Sequence, residues 1–166
     1  MPRPRPTVLI ALVAAVVVAA LVLAGFSLKG RTVTVTHAAV TATLVDAGTP
    51  GASVGDVRLF EIPTATRGGK GVGRMDASMT TTGVNVPEQG SEIRITQLVF
   101  TFAREQDQIV VTGTGVYPAA GAVLAEDTTT VRPIVGGSGA YAGASGWCES
   151  THLADGTWRH VFHLER

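Results

Sequence analysis

Cysteine is nearly absent from this sequence. Cys148 is the only one in 166 residues, so no disulfide can form within the chain. Charge is sparse as well: Asp, Glu, Lys and Arg together make up 16% of the residues, 13 of each sign. Setting aside residues 1–31 removes Arg3, Arg5, Lys29 and Arg31 and no acid, which leaves nine basic against thirteen acidic residues, a net −4. An acidic domain argues against nucleic acid as a partner. Helical patterning is missing beyond Leu28: no stretch there repeats apolar residues at helical spacing.

Several catalytic signatures are also lacking. Glycine is abundant, at 20 residues, and it clusters from Pro133 to Trp147 in PIVGGSGAYAGASGW. A dinucleotide-binding loop needs G-x-G-x-x-G opening a helix. Here Gly137 and Gly139 are followed by Gly143, one step too late. A nucleophile elbow needs G-x-S-x-G, and Ala140 stands where its second glycine belongs. The stretch reads instead as a strand, a glycine-built corner and a new strand, because glycine serves where backbone turns sharply or passes close to a neighbour. A zinc site fails on reach. Cys148 and His152 share a strand face but lie about 13 Å apart at roughly 3.3 Å per residue. Ligands to one zinc must approach within about 2.0–2.3 Å. His160 and His163 point to opposite faces. No metal and no cofactor are expected, and spacing alone supplies no Ser/His/Asp geometry.

What is present begins with one apolar run. Val8 to Leu28 carries no charge and is mostly Val, Ala and Leu. About 20 apolar residues span a hydrocarbon core of roughly 30 Å. A secretory signal has a shorter apolar core, about 7–15 residues, closed by an A-x-A site, and no clean A-x-A closes this run. Residues 1–31 are therefore read as an N-terminal membrane anchor, or a signal peptide if cleaved, and residues 32–166 as the domain. The expected location is a single-pass membrane protein with its domain outside the cytoplasm, or a secreted one after cleavage.

The domain reads as strands. Arg31 to Val45 alternates Thr and Val, a strong strand pattern. Further strands are expected at 56–63, 72–82, 92–103, 109–117, 128–135, 147–153 and 157–165. The last two are joined by Asp155-Gly156, a favoured hairpin pair. Eight antiparallel strands close into an up-and-down barrel or stack as a sandwich. Closure removes exposed edges and leaves an interior just wide enough for side chains or one small ligand.

The motif V-G-G-S-G-x-Y-x-G-x-x-G in the glycine stretch resembles the allene oxide cyclase barrel superfamily. A second block supports it: GDVRLFEIP from Gly55 to Pro63, then GGKGVGRMDA from Gly68 to Ala77. Ala77 stands where many members have glycine. The superfamily includes allene oxide cyclases, dirigent proteins and bacterial spirotetronate-type polyketide cyclases, and the chain is most similar to the last group. The resemblance covers Val40 to Leu164. It implies an all-β fold, an eight-stranded antiparallel up-and-down barrel; the apolar run adds one N-terminal transmembrane helix ahead of it. It also implies a dimer or trimer of identical chains.

Site residues follow from the same matching. Phe60 stands where the cyclases have a pocket-lining aromatic, and Arg58 and Asp56 share its face. Cys148, Ser150 and His152, at two, four and six positions beyond Gly146, face inward. Ser150 and His152 replace bulky pocket residues of those cyclases, and Arg132 replaces an aromatic. Arg132, Ser150 and His152 are the catalytic candidates; Phe60, Arg58, Cys148 and Tyr141 are the pocket candidates. On a strand, His152 is either a pocket group or a hydrogen-bonded structural one. The activity implied is a cofactor-free cyclase that closes a ring in a hydrophobic, polyketide-type precursor by a pericyclic or conjugate-addition step. The alternative is a dirigent-like or lipophilic-ligand barrel without chemistry. A barrel packed solid would point instead to a structural domain at the cell surface. If the apolar run is an anchor, sequencing of the purified protein will find a mature start at Met1 or Pro2. A start between Gly25 and Val40 would refute the anchor.

Overall fold

The computed structural model describes residues 30–39, 41–66, 68–118 and 124–165. The apolar run assigned to a membrane anchor or leader lies outside them. Among the described residues, no helix is long and apolar enough to cross a membrane.

Among the described residues, nine strands form one antiparallel sheet: β1 (Arg31–His37), β2 (Thr43–Val45), β3 (Val57–Ala65), β4 (Gly71–Val84), β5 (Ser91–Thr101), β6 (Gln108–Pro118), β7 (Thr129–Ser138), β8 (Gly146–His152) and β9 (Trp158–Leu164). Each strand from β3 to β9 pairs with the next, and β9 pairs with β1 along all seven residues of β1. The ring closes where β1 meets β3 at Thr36↔Ala65. The short β2 continues the same edge of β3, from Thr43↔Leu59 to Val45↔Val57. β1 and β2 are thus one interrupted strand, and the barrel has eight effective staves. The single strand expected from Arg31 to Val45 is corrected here. Alternation of Thr and Val sustains pairing only to His37. Beyond it, His-Ala-Ala carries no alternating apolar face to bury, and pairing resumes at Thr43.

The other strands fall within a few residues of expectation, with one informative difference. Gly136, Gly137 and Ser138 remain in β7 and pair with β6 at Val110↔Gly136 and Gln108↔Ser138. The corner comes later, as a single 3-10 turn at Gly139–Tyr141. It is held by Asp107 Oδ1, which accepts the Ala140 amide at 2.8 Å, and by the Ser138 hydroxyl, which donates to the Gln106 carbonyl at 2.6 Å.

The interior is segregated along the barrel axis, and β5 shows this in one strand. Its inward residues are Glu92, Arg94 and Thr96, then Leu98 and Phe100, all buried. Antiparallel registers carry the same division round the ring. Arg58, Thr81, Arg94, Tyr117, Arg132, Ser150, His160 and His37 lie towards one end. Towards the other, where the 3-10 turn sits, Val35, Ile62, Met75, Phe100, Ile109, Val111, Ile134 and Phe162 form a packed core. Phe100 stands edge-on to Phe162, with centroids 4.8 Å apart.

Gly146 opens β8 at φ +123°, and a Cβ there would run into the His163 carbonyl oxygen. Gly136 has an ordinary φ and open space around it. Gly146→Ala will therefore lower the unfolding free energy by about 1–3 kcal/mol from backbone strain alone. Gly136→Ala will stay near neutral. Urea midpoints of the two variants check this.

Candidate functional site

Where the polar and apolar halves of the interior meet, the barrel holds a cavity of about 320 Å³. That is the size of a small-ligand site. Its apolar lining includes Phe60, Ile62, Met75, Met79, Leu98 and Leu124. His37, Thr41, Ala42 and Leu44, from either side of the break between β1 and β2, line it as well. The interrupted strand therefore borders the cavity.

The polar lining is cationic. Arg58, Arg94 and Arg132 all reach the cavity, and no Asp or Glu among the described residues lines it. Glu92 lies behind two of the three. Its Oε2 accepts Arg94 Nε at 3.0 Å and the Thr81 hydroxyl at 3.1 Å, and Arg58 Nη2 lies 3.3 Å away. Arg58 Nη1 donates to Thr81 Oγ1 at 3.0 Å. Arg94 also covers the Tyr117 ring, 4.6 Å from its centroid, and Arg94 Nη2 donates to the Pro118 carbonyl. Burial holds the Arg94 guanidinium below its ordinary pKa, against the opposing effect of the hydrogen bond it donates to Glu92.

Arg132 is different, because its hydrogen-bond partners are neutral. Nη2 donates to the Tyr117 hydroxyl at 2.6 Å, and Nη1 donates to the Thr130 hydroxyl. Its Nε is buried with no hydrogen-bond partner. Two glycines on β6 make room for this side chain. A Cβ at Gly113 would press on Arg132 Cγ at 3.3 Å, and one at Gly115 would meet Arg132 Nη2 at 2.9 Å.

Beside Arg132 lies a neutral pair. Ser150 Oγ and His160 Nδ1 are 2.9 Å apart, and His160 Nε2 is buried without a partner. Burial, with His37 and Arg132 nearby, drops the His160 pKa from 6.5 to about 3. Its imidazole is therefore uncharged at any ordinary pH. There it acts as a neutral donor or acceptor. Burial lowers His37 in the same direction. The His37 ring stacks on that of His160 at 5.1 Å, and His37 Nδ1 donates to the Ala38 carbonyl.

The cavity gathers Arg58, Phe60, Arg132 and Ser150 among the residues singled out in the sequence. The other three lie outside its lining. Cys148 is fully buried in the packed core, where burial pushes its thiol up to about 12. His152 donates from Nδ1 to the Leu124 carbonyl at 2.7 Å and stacks on Trp158 at 4.7 Å, so it backs a cavity residue. Tyr141 belongs to the 3-10 turn at the opposite end and packs on Phe102 at 4.6 Å. Asp56 shares the inward face of Arg58 but accepts the Ala47 and Ser53 amides, both at 3.0 Å, and so pins the loop before β3.

Sequence reasoning missed Arg94, Tyr117 and the glycine pair of β6. One signal was available: in Glu92-Ile-Arg-Ile-Thr96 strict alternation leaves either the charges or the isoleucines inside. The usual preference for apolar residues inside selects the wrong face, and Ile95 is in fact 48% exposed.

Fold and site together define an all-β barrel that encloses a mostly apolar cavity with three guanidiniums in its lining. Neither protein-family profiles nor curated proteins give a match to the sequence. Among solved structures the chain is similar to a pyocyanin demethylase, at 21% identity and a TM-score of 0.62 over 81% of this chain and 99% of that one. It is also similar to a pterocarpan synthase dirigent protein, at 15% identity and a TM-score of 0.55 over 82% of this chain and 87% of that one. Both likenesses are of fold. The shared feature is the eight-stave barrel, and the comparisons show no family for the chain.

The buried imidazoles give a pH prediction. A histidine whose pKa is lowered by folding takes up protons more readily when unfolded, so acid favours the unfolded chain. The stability that neutral His160 allows is fully present above about pH 6.5 and is lost progressively as pH falls towards about 3. The melting temperature will fall across that window, and His160→Gln will flatten the fall. An unchanged slope in the variant would show that other groups control it.

Proposed function

We propose that this barrel is a cofactor-free cyclase for a hydrophobic, polyketide-type precursor. The observation that carries this reading is the convergence of uncharged and guanidinium donors on a mostly apolar cavity. Arg132, Ser150 and His160 line one side, and Phe60, Ile62, Met75 and Leu98 complete the wall. A pericyclic or conjugate-addition closure only rearranges bonds within the substrate, so it needs no oxidant, reductant or second substrate. Holding a linear chain folded near its closing geometry supplies as much as ~7–11 kcal/mol at the extreme. A donor aimed at a carbonyl that gains negative charge adds about 3 kcal/mol. Arg132 and the Ser150–His160 pair are suited to that task. His152, behind Trp158, holds that ring in place. The apolar run Val8–Leu28 would keep the domain at a membrane where an oily precursor collects.

A second reading is favoured by a specific feature. The described cavity lining has no carboxylate to act as general base, which equally suits a dirigent-like guide or a lipophilic-ligand barrel with no chemistry of its own. The two readings separate in one assay. A linear polyketide precursor incubated with the full chain will close faster and to one diastereomer, and Arg132→Met will slow it by about a hundredfold or more. An unchanged rate and diastereomer ratio, with stoichiometric capture of the precursor, would leave the binding role alone standing.

A further inference from the structure

The cavity has a charge imbalance that the protein does not correct. Three guanidiniums line it, all at most 4% exposed, and the described lining contains no acid. Glu92 sits close to two of them, through Oε2. Asp56 is the other nearby buried carboxylate, and it is taken up by the Ala47 and Ser53 amides and the Ser53 hydroxyl. Among the described residues, Arg132 has two hydroxyls as hydrogen-bond partners, and its Nε has none. Arg58 Nε is buried and equally without a partner. A guanidinium is a permanent charge with five N–H donors to place. A buried ion is kept out of water at a cost that a counter-ion offsets.

We propose that the missing counter-ion is the ligand: the cavity binds an amphiphilic organic monoanion, with its carboxylate or enolate head at Arg132 and its apolar body on Phe60, Ile62 and Met75. A single negative charge matches the surplus. The three guanidiniums exceed Glu92 and Asp56 by one. A phosphate dianion would overshoot it, and the apolar lining would leave most of a phosphate's oxygens without donors. The neutral Ser150–His160 pair offers one further hydrogen bond to the head without adding charge. Gly113 and Gly115 keep the Arg132 side chain unobstructed along β6. The proposal rests on the ligand-binding half of the function proposed above and is independent of ring closure.

The test uses affinity and no turnover. The full chain is reconstituted in phosphatidylcholine nanodiscs, with empty nanodiscs as the blank. Phenylbutyrate and its uncharged amide, phenylbutyramide, are titrated by calorimetry. Dimedone, an acidic dicarbonyl, and its neutral enol ether form the second pair. Each anion will bind at least about tenfold more tightly than its neutral partner. A preference confined to the first pair assigns the head as a carboxylate, and one confined to the second assigns it as an enolate. Arg132→Met will remove the preference, while Arg132→Lys, which keeps the charge and loses the fork, will retain part of it. Equal affinity for acid and amide overturns the anion site and leaves a hydrophobic-ligand site intact. Binding of neither acid also overturns it, with the ring-closure assay still deciding the cyclase reading. Because the acid-against-amide comparison is made on the unaltered protein, failure of a variant to fold does not obscure the result.

Discussion

One carboxylate oxygen holds the hollow half of this barrel together. Glu92 Oε2 accepts Arg94 Nε and the Thr81 hydroxyl and faces Arg58 Nη2, so the three neighbouring strands β3, β4 and β5 are tied on their inward face at one atom. Removing one member of such a buried group leaves a charge uncompensated, at about 3–5 kcal/mol. Most of the cavity's polar geometry follows from it. With Arg94 fixed on Glu92, its guanidinium lies over the Tyr117 ring, and the Tyr117 hydroxyl can then receive Arg132. The polar belt is a sequence of dependencies that runs from β3 through β6 to β7.

The belt also explains why the interior is not filled. Aliphatic side chains pack to crystal-like density because they carry no directional demand. Guanidiniums and hydroxyls held by hydrogen bonds have fixed directions, and they cannot relax to fill a gap. Towards the other end the interior is mainly hydrocarbon, and Phe100, Ile109, Val111 and Phe162 are at most 1% exposed. The cavity therefore sits where directional bonding takes over from packing.

How much of this was legible depends on which rule each residue obeys. The strand pattern was, since hairpin turns and alternation are local. The break after His37 was not, because pairing there depends on what β3 and β9 present. Arg132 and Ser150 were found through a motif that fixes their distance from the glycine corner. Arg94 was hidden by an inversion: β5 turns its isoleucines outward and its charges inward, an arrangement made favourable by the ion pair and hydrogen bonds that Glu92 supplies. Tyr141, prominent inside the glycine motif, serves the turn that the motif builds, at the end remote from the cavity. Conspicuous sequence marked the scaffold, while the site was written in residues that look ordinary.

The segregation of the interior bears on how such a barrel can diversify. Cooperative folding is carried mainly by the hydrocarbon half, where an altered side chain disturbs many neighbours at once. The rim half is bounded by side chains that each answer to two or three partners. Exchanges among lining residues outside the Glu92 group can therefore refit the chamber to a new guest while the frame still folds, and drift will be faster at those positions than at the packed end. Lineages sharing this frame should then differ most in what they hold and least in how they stand up.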